Sequence, residues 1–189
     1  MLHLASRSPR RAELLGRLGL DFGVIDLDLL EQQGAEEAAA DYVRRVAREK
    51  AGAGLLQVVA VPDALVLGAD TEVILDGVVF GKPVDAADAA DMLRKLSGRT
   101  HEVITAVAVV SAGREAQAVS TSQVSFCEMA EADIDGYLAT GEWEGKAGAY
   151  AIQGRAQAYI AHLSGSYSGV MGLPLFETAQ LLRQFGLCK

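Results

Sequence analysis

Short apolar runs with strand character alternate with stretches of helical periodicity along this chain, and that alternation limits the folds it can adopt. Residues 1–4, 22–27 and 65–67 are predicted to form strands, and residues 9–18 and 35–52 to form helices. The segment TEVILDGVVF carries Asp-Gly between two β-branched runs, which is the sequence signal of a hairpin. Since hairpin strands are antiparallel, the sequence predicts a mixed α/β sheet flanked by helices.

The second half of the chain continues this pattern. Asp85 is positioned to cap a helix that ends at Gly98. The remaining predicted elements are two strands, a short helix, a strand and a last helix, over residues 101–110, 119–126, 131–140, 157–165 and 175–186 in that order. Neither a repeat nor a low-complexity linker interrupts them, so we expect a single domain over residues 1–189.

Composition narrows the class of protein. Half of the 189 residues are hydrophobic and 22% are charged, which is typical of a compact soluble enzyme or binding domain. The net charge of −8 argues against a broad nucleic-acid surface, but it leaves room for a small anion in a local basic pocket.

The lack of a recognisable targeting signal and the spacing of the cysteines indicate one cellular compartment. No apolar run approaches the roughly 20 residues of a membrane span, and the first residues lack the pattern of a signal peptide. The two cysteines, Cys127 and Cys188, are far apart and lack metal-ligand spacing. We therefore expect a cytoplasmic protein with reduced thiols and with neither nucleic acid nor a membrane as a partner.

The segment LASRSPRRAELL places two arginines where a helix end already repels cations. Ser8 is predicted as the N-cap and Pro9 as the first helical residue, so Arg10 and Arg11 fall in the first turn. A phosphate held between the two guanidiniums, at the free N–H groups of the helix end, would explain both charges. The alternative is a pair of solvated arginines bound to Glu13 or another acid.

Two more charged residues lie in apolar contexts. Lys50 shares a helical stripe with Val43, Val46 and Ala47, so it either extends to solvent at the helix end or reaches a ligand. Asp70 follows the apolar run ALVLGA, at the predicted carboxyl end of a buried strand, where ligands collect in α/β folds. A carboxylate there can hold a divalent cation or activate water, although an isolated aspartate is more commonly a residue that caps a turn.

Segments rich in small residues add further polar candidates. Lys82, in FGKP, can reach a phosphate, although a solvated lysine is the commoner outcome. Lys146 and Gln153 lie in GKAGAYAIQG, and the Gln153 amide is suited to reading a base edge. In GSYSG, Tyr167 stands where a nucleophile elbow needs serine, and no strand-to-helix elbow is predicted, so acyl-transfer chemistry is excluded.

Six segments, taken together and in this order, resemble the Maf family of nucleoside triphosphate pyrophosphatases: LASRSPRRAELL, REKA, GADT, GKPVDAADAADMLRKLSGRTHEVITAVAV, KAGAYAIQG and GSYSGVMGLPLFET. They run from residue 4 to residue 178. The resemblance implies one catalytic domain with an elongated α/β fold, similar to Maf and Ham1 proteins, in which two lobes enclose an active-site cleft. It also implies a cytoplasmic enzyme that can form a homodimer.

The activity implied by the resemblance is hydrolysis of a nucleoside triphosphate to the monophosphate and pyrophosphate, with Mg²⁺ or Mn²⁺. KAGAYAIQG together with SPRR resembles the branch that acts on dTTP and UTP. By motif position, Asp70 is the catalytic acidic residue and, with Glu31, the metal ligand. The substrate-binding positions are Ser8, Arg10, Arg11, Lys50, Thr71, Lys82 and Gln153, of which Arg10, Thr71 and Gln153 are tied to substrate choice.

Two positions depart from the family pattern. The family often has asparagine at the position of Gly169 and an apolar residue at the position of Glu72. The resemblance therefore assigns no ligand role to Glu72. Strand alternation places Glu72 on the same side of its strand as Asp70, with Thr71 on the other side.

The expected reaction is attack of water on the α-phosphorus with departure of pyrophosphate, in which positioning and charge neutralisation dominate. Asp70 acts either as the base for that water or mainly as a metal ligand. A different function is a nucleotide-binding regulator of septum formation with little hydrolysis. A third is a phosphate-binding module for an acidic protein partner.

Overall fold

A computed structural model describes residues 1–27 and 29–188 of the chain. Its strands are β1 (Leu2–Ala5), β2 (Phe22–Ile25), β3 (Leu65–Leu75), β4 (Val78–Phe80), β5 (Thr100–Val110), β6 (Glu115–Phe126) and β7 (Ile160–Ser164). Its helices are α1 (Pro9–Gly16), α2 (Ala39–Gln57), α3 (Ala86–Leu96), α4 (Glu131–Leu138), α5 (Tyr167–Met171) and α6 (Leu175–Gln184). Short 3-10 turns lie at Ala147–Ala149 and Arg155–Tyr159.

All seven strands belong to one sheet, in the order β2–β1–β3–β5–β6–β7, with β4 paired to β3. β1 runs parallel to both β2 and β3, because the chain crosses a face of the sheet through α1 between β1 and β2 and through α2 between β2 and β3. The pairs from β3 through β5 and β6 to β7 are antiparallel, as is the β3–β4 hairpin. The predicted mixed α/β sheet flanked by helices is confirmed.

The β3–β4 hairpin turns at the Asp-Gly pair that predicted it. Asp76 and Gly77 have φ angles of 52° and 79°, the left-handed backbone that a two-residue hairpin turn requires. The strand before it is longer than predicted, since Val66–Ile74 pairs with β5 along its length. Asp70 therefore lies in the middle of β3, and its predicted place at the end of the strand is wrong.

One edge of β3 is open around Asp70. β1 pairs only with Leu65–Leu67, and β4 pairs only with Val73–Leu75. Within the described part of the chain, residues 68–72 have a strand partner only on the β5 side. The gap between β1 and β4 gives the side chains on both faces of β3 access to one opening.

Successive residues of β3 alternate between two apolar cores, which agrees with the predicted alternation of side chains along this strand. Val66 and Ile74 pack in the core beneath α2, while Leu67, Ala69 and Val73 pack in the core on the opposite face. Asp70 and Glu72 share the α2 face by this alternation, and Thr71 lies on the other.

Helix α2 packs on β3 without side chains between the two backbones. A Cβ atom on Gly68 would lie 2.4 Å from the Ala47 carbonyl oxygen and 2.6 Å from the Ala51 nitrogen. Only glycine permits this approach. Because Lys50 lies between these contacts on α2, and Asp70 lies two residues beyond Gly68 on the same face, the packing brings the two charged residues together.

The starts of three helices can be compared with expectation. α2 begins at Ala39, four residues after the predicted start, because residues 35–38 form a turn and an extended N-cap. Ser8 is the N-cap of α1, as predicted, but its hydroxyl makes no capping hydrogen bond. Asp85 caps α3 as predicted, accepting a hydrogen bond from the Asp88 backbone N–H at 2.8 Å.

The GSYSG segment does form a strand-to-helix turn, which corrects the sequence-based interpretation. β7 ends at Ser164, Gly165 has a φ angle of 114°, and α5 begins at Tyr167. The Ser166 hydroxyl accepts a hydrogen bond from the Gly169 N–H at 2.9 Å, so it caps this helix. Among the helices of the described residues, none is long and apolar enough to cross a membrane.

The contact at Gly68 gives a test of the packing. We expect Gly68→Ala to lower the free energy of unfolding by about 1–3 kcal/mol, since α2 must move away from β3. Gly52→Ala, in the same helix, is the matched control, because a Cβ atom there meets nothing within 4 Å. It should raise stability by about 0.5–1 kcal/mol through helix propensity. Urea unfolding measures both, and equal effects would contradict the close approach.

Candidate active site

A cavity of about 530 Å³ lies at the open edge of β3, between the start of α1, helix α2 and the segment after α4. Its lining includes every site residue that the sequence predicted: Ser8, Arg10, Arg11, Glu31, Lys50, Asp70, Thr71, Lys82 and Gln153. These residues come from six separate stretches of the chain, so the fold brings together what the sequence separates.

Lys50 lies at the centre of the charged wall of this cavity. Its ammonium group donates a 2.8 Å hydrogen bond to Asp70 Oδ1 and lies 2.9 Å from Glu31 Oε1. The side chain is only 10% exposed, so it does not extend to solvent at the helix end. Of the two outcomes predicted for Lys50, extension to solvent is therefore wrong, and contact with a ligand stays a prediction.

Glu31 lies between two lysines. Besides Lys50, the ammonium of Lys82 lies 3.7 Å from Glu31 Oε2. Burial alone would raise the pKa of Glu31, but the charge and hydrogen bond of Lys50, with the charge of Lys82, lower it below its ordinary value. Both carboxylate oxygens of Glu31 therefore face cationic groups of the protein.

Asp70 and Glu72 are buried beside each other with incomplete pairing. Asp70 is 3% exposed and Glu72 is 7% exposed. Asp70 Oδ2 and Glu72 Oε2 are buried without a hydrogen-bond partner. Burial, reinforced by the charge of Asp70, raises the pKa of Glu72 to about 8. A cation would compensate these two oxygens.

Arg11 connects α1 with β3 and with the end of α5. Its Nε donates to the Gly172 carbonyl at 2.8 Å, and its Nη2 donates to Thr71 Oγ1 at 3.2 Å. A weaker contact, 3.5 Å long, joins Nη1 to the Ser6 hydroxyl. These bonds fix the guanidinium plane and still leave two of its five N–H groups for a ligand.

Arg10 has the incomplete surroundings that the sequence indicated. Its Nε is buried without a hydrogen-bond partner. Burial, together with the charge of Arg11, lowers the pKa of Arg10. Glu13, the proposed partner in the solvated alternative, pairs instead with Arg17 at 2.6 Å.

The segment after α4 supplies the polar groups of another wall. Gln153 Oε1 is buried and has no hydrogen-bond partner. Lys146 lines the same cavity and donates to the Glu144 carbonyl at 2.7 Å. Burial and the charge of Arg10 lower the pKa of Lys146. An amide with a free acceptor and a nearby ammonium therefore face any occupant here.

The acidic wall fits a divalent cation in part. Carboxylate oxygens are hard ligands that suit Mg²⁺ and Mn²⁺, and the buried Asp70 Oδ2 has no protein partner. However, residues 1–27 and 29–188 contain no group of three or more His, Cys, Asp or Glu side chains arranged to hold a metal ion. Water and ligand oxygens would have to complete the coordination, as is usual for Mg²⁺ at phosphate sites.

Sequence reasoning missed several groups that the fold brings to this site. Thr105 contacts the Thr71 hydroxyl at 2.9 Å and the Gly169 carbonyl at 2.8 Å. Gly172 holds Arg11 from 161 residues away along the chain. No local pattern identifies such contacts. For Glu72, strand alternation did give the right face, and only the family pattern argued against a role.

The fold and the cavity together define a class: an α/β protein whose pocket combines basic side chains for phosphate with carboxylates suited to a cation. The chain belongs to the Maf family, since the family model described as "Maf-like protein" matches residues 1–185.

Similar proteins carry consistent names. The chain is 61% identical over 188 residues to a "dTTP/UTP pyrophosphatase" of Xanthomonas euvesicatoria pv. vesicatoria, covering 98% of this chain and 99% of that protein. It is 58% identical over 186 residues to a "Nucleoside triphosphate pyrophosphatase" of Xylella fastidiosa, covering 98% of each. Among solved structures, a dITP/XTP pyrophosphatase from Mycobacterium abscessus aligns with a TM-score of 0.43 and 20% identity, over 66% of this chain and 72% of that one.

The buried charges at Lys50 give a test of how the site is held together. We expect Lys50→Met to lower the free energy of unfolding by about 3–5 kcal/mol, because it leaves the buried Asp70 and the partly buried Glu31 without their shared cation. Adding Asp70→Asn should recover part of that loss. Urea unfolding of the two single variants and the double variant measures the coupling. Additive losses, with a coupling below about 0.5 kcal/mol, would contradict a direct buried ion pair.

Proposed function

We propose that this protein hydrolyses dTTP and UTP to the nucleoside monophosphate and pyrophosphate, with a divalent cation. The observation that carries the proposal is the unpartnered carboxylate oxygen of Asp70 in the same cavity as Arg10, Arg11, Lys50 and Lys82. The 61% identical relative named dTTP/UTP pyrophosphatase supports the same reaction. The activity belongs to one cytoplasmic catalytic domain over residues 1–189, which can work as a homodimer.

The basic residues bind the triphosphate. At the start of α1, Ser8 does not cap the first-turn N–H groups with its hydroxyl, so phosphate oxygens can accept from them. Arg10 and Arg11 add guanidinium donors at the same end. Lys82 is exposed and can turn from Glu31 to a phosphate. Substrate binding thus relieves the repulsion that these cations impose on one another.

Asp70 is the group we assign to the chemistry. Its Oδ1 is held by Lys50, so its Oδ2 is the oxygen free to act. That oxygen accepts the proton of the attacking water or, with Glu31, holds the cation. The cation, when bound, neutralises the phosphate charge that develops as pyrophosphate leaves. The hydrogen bond from Lys50 orients Asp70 in either role.

The base is recognised by groups with matching polarity. Thymine and uracil both present an imide N–H, and the unpartnered Gln153 Oε1 can accept a hydrogen bond from it. The Gly169 carbonyl can only accept, so Thr105 gives its one proton there and Thr71 donates to Thr105. Thr71 also accepts from Arg11, which leaves its hydroxyl only one further acceptor position for substrate.

A panel of nucleoside triphosphates, each with Mg²⁺ and with Mn²⁺, tests the reaction. We expect dTTP and UTP to give the monophosphate and pyrophosphate, resolved by anion-exchange chromatography. Asp70→Asn should lower kcat by about a hundredfold or more, because it removes the charge but preserves the shape. Asp91→Asn is the matched control, since Asp91 is exposed and pairs with Arg94.

Three outcomes of this panel would contradict the proposal. Orthophosphate as the first product would indicate a different bond cleaved. Tight nucleotide binding without pyrophosphate release would favour a nucleotide-binding regulator. Wild-type turnover by Asp70→Asn would remove the role assigned to Asp70.

Substitutions at Arg10 and at Lys82 should differ in their effect on substrate choice. Arg10 is half-buried and lines the same cavity as Gln153, so we expect Arg10→Ala to change the ratio of kcat/KM between dTTP, UTP and CTP. Lys82 is exposed and reaches only phosphate, so Lys82→Ala should lower kcat/KM for every triphosphate by about tenfold, or about 1.4 kcal/mol. Steady-state kinetics on the three nucleotides measures both. Unchanged ratios in Arg10→Ala would contradict its role in selectivity.

A further inference from the structure

Glu72 is a buried acid at the site to which neither the family resemblance nor the proposed reaction assigns a role. We propose that Glu72 is a ligand of the divalent cation, paired with Asp70 on one face of β3. The inference rests on the cation-dependent part of the proposed function. It adds a protein ligand at a position where the family often has an apolar residue.

Glu72 is buried and its Oε2 lacks a compensating partner. A carboxylate at 7% exposure becomes charged only beside a partner of opposite charge, and Glu72 Oε2 has no hydrogen-bond partner. An apolar side chain would fill the same strand position without needing such a partner. A bound cation is the occupant of the cavity that turns this unfavourable burial into a favourable contact.

The geometry of β3 places a second such oxygen beside it. Asp70 and Glu72 are two residues apart on a strand, so their side chains point to the same face and line the same cavity. Asp70 Oδ2 is likewise buried and unpartnered. Two carboxylates with free oxygens, completed by water and phosphate oxygens, are a common protein contribution to a Mg²⁺ or Mn²⁺ site.

Glu31 is less free to bind the cation than Glu72. Glu31 Oε1 lies 2.9 Å from the Lys50 ammonium, and Oε2 lies 3.7 Å from that of Lys82. To bind a cation in the absence of nucleotide, Glu31 would have to exchange a lysine for it. Glu72 Oε2 gives up no such contact. The nucleotide-free protein should therefore depend on Glu72 for cation binding at least as much as on Glu31.

Electron paramagnetic resonance of Mn²⁺ measures cation binding without turnover. The nucleotide-free full-length chain is titrated with Mn²⁺, and the signal of free Mn²⁺ gives the Kd. We expect Glu72→Gln, which keeps the volume of the side chain, to weaken Mn²⁺ binding about tenfold or more. Glu102→Gln on the neighbouring strand β5 is the control, because Glu102 is exposed and lies outside the cavity.

A second variant and a comparison keep the test decisive. If Glu72→Gln unfolds, Glu72→Val replaces it, since valine suits a buried strand position and lacks a ligand atom. Glu31→Gln, measured in parallel, is expected to weaken Mn²⁺ binding no more than the Glu72 variant does.

The outcomes separate this inference from the proposed reaction. Mn²⁺ affinity equal to wild type in a folded Glu72 variant overturns the inference, even if KM for the nucleotide changes. Loss of Mn²⁺ binding in that variant, with Glu102→Gln unchanged and Glu31→Gln affected no more strongly, supports it. Failure of the wild-type protein to release pyrophosphate would contradict the proposed reaction, while the Mn²⁺ titration would still decide the role of Glu72.

Discussion

The buried contact between Lys50, Asp70 and Glu31 is the interaction on which the site depends. Removing such charges from water costs several kcal/mol per ion, and their attraction offsets this only when the geometry is good. Distances of 2.8 and 2.9 Å from one ammonium to two carboxylates provide that geometry. They are possible because Gly68 lets the backbone of α2 approach β3 directly. A packing contact between two backbones therefore sets the electrostatics of the cavity.

The second constraint is the interruption of pairing along one edge of β3. In a continuous sheet, Asp70 and Thr71 would face separate layers, because neighbouring side chains point to opposite faces. β1 ends before this point and β4 begins after it, so the edge between them is open. The acids on the α2 face and the Arg11–Thr71 contact on the α1 face consequently border the same cavity.

Local patterns in the sequence predicted much of this arrangement. The Asp-Gly turn, the Asp85 cap and the place of Lys50 on the inner stripe of α2 each depend on neighbours within a few residues. The length of β3 could not be predicted in this way, because it is set by pairing with residues of β5 that lie 28 to 44 positions later in the chain. The partners of Arg11 could not be predicted from local patterns either. Gly172 is 161 residues away, and no periodicity records such a contact.

The charge of the cavity differs in sign from that of the chain. Six lysines and arginines line it against four aspartates and glutamates, a surplus of two positive charges in a protein of net charge −8. A triphosphate carries more negative charge than this surplus can balance. The shortage of positive charge is largest beside Asp70 and Glu72, because these two acids add negative charge of their own. A divalent cation bound at that wall would balance the substrate and the acids together, which explains why a phosphate pocket also buries carboxylates.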